Sequence, residues 1–246
     1  MIKTHTTLNI GHFHTNYCED FWVTAPITSS QQLIAVLDGC TMGTESAFAA
    51  MLFGKTLRSI ARELYYEDFL NPSGTLLSGK LREIFRGLFS RLKSIRNQLS
   101  LDTHELLTTI VLGVLDQKSR VAEFLTIGDG LICHDGNIVN YEQDDRPDYL
   151  GYHLSKDFDS WFDAQTQKLT IKSFNDLSIC TDGIFSFRNF KQPAKQKSEA
   201  EIIDFLLIND QLSEHNNCLE RKMRIVQQEW QHEVTDDLAI VRIVSS

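Results

Sequence analysis

The chain has 246 residues, of which 42% are hydrophobic and 23% are charged, as in an ordinary globular protein. These proportions exclude a disordered, collagen-like or coiled-coil chain. The net charge of −9 argues against a nucleic-acid-binding protein, because such a protein needs a basic face to neutralise phosphates. We expect a single domain that spans residues 1–246.

The cysteine count and the hydropathy pattern indicate a cellular compartment. The chain has five cysteines and no C-x-x-C pair, which argues against a disulfide framework and a thiolate zinc site. No apolar run reaches the roughly 20 residues of a membrane span. Residues 1–20 lack the charged-then-apolar pattern of a signal peptide. We therefore expect a cytoplasmic protein without membrane or nucleic-acid contacts, whose oligomeric state the sequence leaves undefined.

The hydrophobic patterns predict strands, two long helices, strands, a polar and aromatic loop, two strands, a helical stretch and a final strand. In that order, the segments are 6–37, 44–66 and 78–99, 105–141, 142–166, 168–173 and 177–181, 198–232, and 238–244. Such an order is typical of an α+β sandwich rather than of alternating βαβ units. We expect the aromatic residues in 142–166 to form either an exposed substrate flap or a cover over an edge of the core.

Acidic residues recur at the ends of the apolar strand segments. They are Asp38, Asp129 and Asp182, each before a glycine, then Asp236 before the last strand, and Glu19 with Asp20 before the strand at Phe21. Glycine lets the chain turn sharply and brings backbone carbonyls close to a ligand. Converging carboxylates repel each other unless cations neutralise them, and hard oxygen ligands suit Mg²⁺ or Mn²⁺. Although a single Asp-Gly is more often only a turn, the pattern favours a two-ion site and metal-assisted phosphoester hydrolysis.

Several short segments carry a resemblance to a known family. Residues 34–39 read IAVLDG, 107–111 LTTIV, 124–130 FLTIGDG, 177–185 LSICTDGIF and 235–241 TDDLAIV, and Cys18-Glu19-Asp20 precedes them. Each segment is a weak match by itself. Their order and spacing resemble the metal-dependent protein phosphatase 2C family over nearly the whole chain.

The resemblance implies an α+β fold, a four-layer αββα sandwich in which helix pairs flank two antiparallel sheets. It also implies a metal cleft at the top of the sheets. There Asp38 would bridge two Mg²⁺ or Mn²⁺ ions, and the carbonyl oxygen of Gly39 would bind one of them. Asp182 and Asp236 would complete the carboxylates of the first ion.

For the second ion, the resemblance implies that Glu19, with Asp20 beside it, holds bound waters. Asp129 matches the ligand of a third ion in many members. The implied activity is that of a protein serine/threonine phosphatase, in which a hydroxide between the two ions attacks a phosphorylated protein substrate. The catalytic residues would be Asp38, Asp182 and Asp236.

Two departures concern the grip on phosphate. Thr15 stands where the family often has an arginine that holds the substrate phosphate. His12 and His14 lie nearby and would partly replace it, although histidine is a weaker and pH-dependent phosphate partner.

Three further departures leave other functions open. No histidine follows Asp38-Gly39, Ser186 replaces a second aspartate for the third ion, and Asp237 replaces an asparagine that need not be a ligand. One alternative is therefore a catalytically weak or inactive regulatory binding module with the same fold. Another is a metal-dependent hydrolase of small phosphoesters.

Overall fold

The computed structural model describes residues 2–14, 16–40, 45–71, 76–143 and 147–245. Thr15, the position of the missing arginine, lies outside the described residues. So do residues 41–44, which follow Asp38-Gly39-Cys40, and residues 72–75 between the two long predicted helices.

Within those ranges the chain forms twelve strands, five α-helices and several shorter helical turns. The strands are β1 (Ile2–Asn9), β2 (Phe21–Pro26), β3 (Gln31–Gly39), β4 (Thr108–Asp116), β5 (Val121–Ile127), β6 (Gly130–His134), β7 (Asn137–Tyr141), β8 (Lys168–Ile171), β9 (Asp176–Cys180), β10 (Phe187–Arg188), β11 (Glu233–Val234) and β12 (Leu238–Ser245). The α-helices are α1 (Ser46–Leu70), α2 (Leu77–Leu99), α3 (Phe158–Ala164), α4 (Glu199–Ile203) and α5 (Cys218–Arg224). The 3₁₀ turns are His104–Leu106, Leu150–His153, Asp182–Phe185 and Pro193–Lys195, and π-helical turns at Asp204–Ile208 and Ile225–Glu229 extend α4 and α5.

Two five-stranded antiparallel sheets form the centre of the molecule. The first has the strand order β2-β3-β4-β5-β8 and the second β1-β12-β9-β6-β7. An apolar layer joins them, with Val36 and Val111 from the first sheet and Ile179 and Val241 from the second. Nearly continuous apolar strands such as β4 are buried on both faces, as the middle layers of a sandwich require.

Helices cover the outer face of each sheet. In α2, the buried residues Leu81, Phe85, Leu88 and Leu92 recur at helical spacing and pack with α1 on the first sheet. On the second sheet, α4 and α5 bury a second apolar cluster that is separate from the first. The predicted α+β, four-layer αββα fold is confirmed.

Two local differences from the sequence expectation have clear physical reasons. The predicted helical stretch 198–232 is divided by residues 209–217, which separate the π-helical turn Asp204–Ile208 from α5. These residues read NDQLSEHNN and lack the apolar stripe that a packed helix buries. The ribbon of β10 and β11 was not predicted, because two-residue strands are too short to show an alternating pattern.

Residues 144–146 of the segment 142–166 lie outside the described residues, and residues 147–166 cover an edge of the first core. Trp161 and Phe162 of α3 are buried, and their rings pack within 6.1 Å of the ring of Phe85 on α2. Tyr149 is also buried. Of the two expectations for these aromatic residues, the structure supports the cover rather than an exposed substrate flap.

In the part of the chain that the structure describes, no helix combines the length and the apolar character that crossing a membrane requires.

Candidate functional site

The two sheets bring their acidic strand ends to one edge of the sandwich. Asp38 is the penultimate residue of β3, beside the start of β2, since Phe21 pairs with Leu37. In the second sheet, β9 ends beside the start of β12, since Cys180 pairs with Ile240. The aspartates that flank these strand ends therefore face each other across the top of the sheets.

Thr181 connects the two halves of this edge. Its hydroxyl Oγ1 donates a hydrogen bond of 2.6 Å to Oδ2 of Asp20 and accepts one of 2.9 Å from the backbone N of Ala239. Asp20 is almost fully buried. Its other oxygen, Oδ1, is buried too and has no hydrogen-bond partner among the described residues when neighbouring carboxyl groups are ionised.

Asp237 makes a second connection across the edge. Its buried carboxylate accepts a hydrogen bond of 2.6 Å from the backbone N of Gly11 and a short one from the backbone N of Glu19. Asp237, which the sequence analysis did not require to be a ligand, therefore has a structural role. Both of its oxygens hold the segment that carries Glu19 against the start of β12.

Close backbone approaches explain two of the glycines. A Cβ atom at Gly39 would overlap the carbonyl oxygen of Ser46 and lie 2.8 Å from that of Glu19, and the backbone N of Gly39 donates to the same Glu19 oxygen. A Cβ atom at Gly183 would overlap the carbonyl oxygen of Asp237. Glycine thus lets the Asp38 and Asp182 segments pack directly against residues 19 and 237.

The electrostatics of the edge show that the carboxylates lie close together. Burial, followed by repulsion from Asp20 and Asp182, raises the pKa of Asp38 well above its ordinary value. Burial also raises the pKa of Asp20 well above its ordinary value, although hydrogen bonds from Thr181 and Asp38 oppose this. The carboxyl groups of Asp20 and Asp38 are close enough to share a hydrogen bond, which requires a proton between them.

Asp182 connects the acidic cluster to a neighbouring cleft. Burial, with repulsion from Asp236 and Asp129, raises the pKa of Asp182 to about 6. Asp129 and Asp182 line a cleft of about 750 Å³ together with Glu142 and Glu199. The structure thus brings Asp20, Asp182 and Asp236 within electrostatic reach of Asp38, and Asp129 within reach of Asp182. The backbone of Glu19 lies against Gly39 and Asp237.

The donor set fits divalent cations by its chemistry. Among the described residues, no three histidine, cysteine, aspartate or glutamate side chains already stand in a geometry that could hold a metal ion. When the neighbouring carboxyl groups are ionised, the buried oxygen Oδ1 of Asp20 nevertheless lacks a hydrogen-bond partner among the described residues, and several carboxylates have raised pKa values. Such a cluster requires either protons or cations, and oxygen ligands are those that Mg²⁺ and Mn²⁺ prefer.

The two histidines proposed as phosphate partners are engaged with carboxylates. Burial favours the neutral form of His14, but Asp237, 2.9 Å away, favours the protonated form more strongly. The pKa of His14 is therefore raised. The ring also lies 3.6 Å from Asp236. His12 forms an ion pair of 2.7 Å with Glu233. These contacts disfavour the predicted replacement of the arginine by His12 or His14.

Ser186 has a positioning role where the family often has an aspartate. Its hydroxyl Oγ accepts hydrogen bonds of 3.2 Å and 3.1 Å from the backbone N of Thr235 and Asp236, and donates one of 2.8 Å to the carbonyl oxygen of Gly183. Ser186 thereby fixes the backbone of Asp236 relative to the Asp182 turn.

The sequence did not single out Thr181, Glu142 or Glu199. Thr181 precedes Asp182, so its position near the site followed from the motif, but its contact with Asp20 depends on how the sheets stack. Glu142 and Glu199 follow no strand-Asp-Gly pattern. Nothing in their local sequence indicates that they line the cleft beside Asp129.

Comparison with solved structures shows the same fold in several proteins, phosphatases among them. PppA, a key regulatory component of T6SS in Pseudomonas aeruginosa, shares 14% identity over 100% of this chain and 98% of its own, with a TM-score of 0.63. A second match is the catalytic domain of the serine threonine protein phosphatase PstP, solved in complex with 2 manganese ions. It shares 16% identity over 99% of this chain and 97% of its own, with a TM-score of 0.60. The structure of SpoIIE from Bacillus subtilis contains its PP2C phosphatase domain and a fragment of its regulatory domain. It shares 13% identity with this chain, with a TM-score of 0.57, and the match covers 99% of this chain and 63% of the SpoIIE chain.

At these identities, the structural similarity establishes the fold. No curated protein matches the sequence. A family model described as Protein phosphatase 2C matches residues 11–234, which is most of the chain. The match includes every acidic segment of the site except Asp236 and Asp237, which lie two and three residues beyond its end. The chain therefore belongs to the protein phosphatase 2C family.

Proposed function

We propose that this chain is a metal-dependent protein serine/threonine phosphatase that hydrolyses phosphoserine and phosphothreonine in protein substrates. Residues 1–246 would act as one phosphatase domain. The observation that carries the proposal is the buried cluster of Asp20, Asp38 and Asp182, whose pKa values are raised by burial and by each other. A protein that keeps such a cluster bears an electrostatic cost that bound cations remove.

The proposed ligand sets follow the family motif. Asp38 would contact two ions, and the carbonyl oxygen of Gly39, Asp182 and Asp236 would complete the first. Divalent ions at these positions supply polarisation of a phosphoryl oxygen and acidification of water. The ligands of the other ions are proposed to be Glu19 and Asp20, through water, for the second ion and Asp129 for a third.

The chain's own residues orient this set. Thr181 holds Oδ2 of Asp20 and leaves Oδ1 directed into the acidic cluster. Asp237 holds the backbone of Glu19, and Ser186 holds the backbone of Asp236. The geometry is therefore fixed before a ligand binds, which lowers the reorganisation that binding and turnover require.

The thiols support a reducing compartment. All five cysteines are free, and four of them are buried. Free thiols are usual in reducing compartments. We therefore place the phosphatase in the cytoplasm, where phosphoproteins are its proposed partners.

The central test measures metal-dependent hydrolysis of a phosphothreonine peptide. With saturating Mn²⁺ we expect turnover that EDTA abolishes and that Asp182→Asn lowers by at least about 10³-fold, since both ion binding and charge neutralisation are lost. Glu229→Gln, an exposed carboxylate on the second helical layer, is the matched control and should retain full activity.

The alternatives give different results in the same assay. Hydrolysis of p-nitrophenyl phosphate without hydrolysis of phosphopeptides would favour a small-phosphoester hydrolase. Absence of turnover with Mg²⁺ and Mn²⁺, together with Mn²⁺ binding by calorimetry, would favour a regulatory module. Absence of binding as well would refute the metal site.

A further inference from the structure

A cluster of exposed aromatic rings lies beside the acidic edge. We call His12, Phe13 and Phe190 the aromatic platform. Phe13 is 70% exposed and Phe190 is 48% exposed. The ring of His12 lies 5.5 Å from that of Phe13 and 5.0 Å from that of Phe190. Single exposed apolar residues are normal, but rings that cluster in water are typical of an interaction surface.

The platform is attached to the backbone that carries the acidic residues. The backbone N of His12 donates to the carbonyl oxygen of Val234 at 2.8 Å, and that of Phe13 donates to Thr235 at 3.2 Å. Asp236 is the next residue along the chain. An ion pair with Glu233 also holds the ring of His12. The platform is therefore a fixed neighbour of the proposed reaction site.

A basic stretch adjoins the platform. Residues 188–198 contain Arg188, Lys191, Lys195 and Lys197 and no acidic residue, in a chain whose net charge is −9. Arg188, Lys191 and Lys195 are exposed, and none of these three has a carboxylate partner among the residues that the structure describes. Glu233 lies opposite Arg188 in the β10–β11 ribbon, but its carboxylate forms an ion pair with His12 and not with Arg188.

We propose that the aromatic platform and the basic stretch form the docking surface for the substrate protein. The inference rests on the proposed function. The occupant is a phosphorylated segment with a bulky apolar residue close to the phosphorylated one and acidic residues further along. An extended segment advances about 3.3 Å per residue, so the three positions on either side of the phosphorylated residue lie within about 10 Å of it along the segment. Unpaired cations on an acidic protein attract the acidic part of that segment.

The test compares phosphothreonine peptides that differ at one position. Phenylalanine or alanine is placed at each of the three positions on either side of phosphothreonine, and kcat/KM is measured with Mn²⁺. At one or more positions, we expect the wild type to prefer phenylalanine by about 5- to 10-fold, the gain of an aromatic contact. Phe13→Ala and Phe190→Ala should bring that ratio close to one. Phe69→Ala, which removes a 76% exposed ring at the end of α1, should leave the ratio unchanged.

The basic stretch is tested with a second pair of peptides, one with acidic and one with neutral residues distal to the phosphothreonine. The wild type should prefer the acidic peptide, and the double variant Arg188→Ala, Lys191→Ala should lose this preference. The preference should also shrink as salt is raised, because exposed charges are screened.

The outcomes separate docking from catalysis. If peptides are hydrolysed but neither phenylalanine nor acidic residues change kcat/KM, the docking surface is refuted and the phosphatase function stands. If no peptide is hydrolysed, the function fails, and anisotropy of fluorescent peptides decides on docking. Tighter binding of the phenylalanine peptide to the wild type than to Phe13→Ala would support the surface, and equal binding would overturn it.

Discussion

Two regions of this molecule bury charge, and they do so in opposite ways. The acidic edge gathers carboxylates at one end of the sheets. A cationic cluster, formed by Arg242 of β12 and Lys222 of α5, lies under the second helical layer, where both side chains are at most 1% exposed. The two regions share one strand, since Asp236 and Asp237 directly precede β12 and Arg242 lies within it.

Both cations of the cationic cluster find hydrogen-bond acceptors within the protein. Arg242 donates to both carboxylate oxygens of Asp176, at 3.0 Å and 2.5 Å, and to the carbonyl oxygens of Leu206, Ile208 and Asn209. Lys222 donates to the carbonyl oxygens of Phe205 and Asn209. These carbonyls belong to or directly follow the π-helical turn Asp204–Ile208, where a helix end leaves acceptors without partners inside the helix.

The acidic edge has no comparable set of hydrogen-bond partners among the described residues. Hydrogen bonds from Thr181, Gly11 and the backbone N of Glu19 satisfy some of its oxygens, but Asp20, Asp38 and Asp182 retain raised pKa values. A buried charge whose hydrogen-bonding groups find partners within the chain serves the fold. A buried charge that lacks them indicates a ligand from outside, which is why the acidic edge and not the cationic cluster is assigned a function.

The largest expected effect compares two carboxylates of the acidic edge. Asp38→Asn should lower kcat/KM for a phosphothreonine peptide by at least about 10³-fold, because Asp38 is proposed to contact two ions. Asp129→Asn should lower it by only about tenfold, since Asp129 is proposed to serve a third ion. Steady-state kinetics across a Mn²⁺ titration measures both. Equal losses in the two variants would contradict the proposed division of roles.

The next effect tests the cationic cluster. Asp176→Asn should lower the free energy of unfolding by about 3 kcal/mol, because it leaves the buried guanidinium of Arg242 without its anion. Urea denaturation measures the change. The control is Glu63→Gln, which breaks the exposed ion pair with Arg91 and should cost less than about 1 kcal/mol. Similar losses in both variants would show that the burial of Arg242 is unimportant.

A smaller effect of opposite sign distinguishes the acidic edge. In metal-free protein at neutral pH, Asp38→Asn should raise the free energy of unfolding, because it removes a buried carboxyl group whose charged form is disfavoured first by burial and then by repulsion from Asp20 and Asp182. The same variant should lose the stabilisation that Mn²⁺ gives the wild type. Thermal unfolding with and without Mn²⁺ measures both changes. Destabilisation of the metal-free variant would mean that Asp38 stabilises the fold.

The smallest effect is a pH dependence of the cationic cluster. Burial, followed by repulsion from Arg242, lowers the pKa of Lys222 to about 8. Between this value and the ordinary lysine pKa, the unfolded chain binds more protons than the folded protein, so stability rises with pH. From pH 8 to pH 9, the wild type should gain about 1 kcal/mol relative to Lys222→Met. Urea denaturation of both proteins at the two pH values cancels the other titrating groups, and a pH-independent difference would contradict the assignment.

The sequence was sufficient for the fold class and for most of the acidic edge. Apolar runs that end in Asp-Gly placed Asp38, Asp129 and Asp182 at strand ends, because a strand buried in a sandwich must be apolar until it reaches the edge. Helical spacing predicted the first and last residues of α1 and α2 to within a few residues. The proposed metal ligands remain predictions, although the structure brings Asp20, Asp182 and Asp236 within electrostatic reach of Asp38, and Asp129 within reach of Asp182.

Contacts between distant segments were decided only by the tertiary structure. The hydrogen bond from Thr181 to Asp20, the hold of Asp237 on residues 11 and 19, and the anion and carbonyls around Arg242 join positions that are 33 to 226 residues apart. Local sequence determines which residues favour a strand, a helix or a turn. Which buried charges receive a partner depends on how the sheets and helices stack, and that stacking is a property of the whole chain.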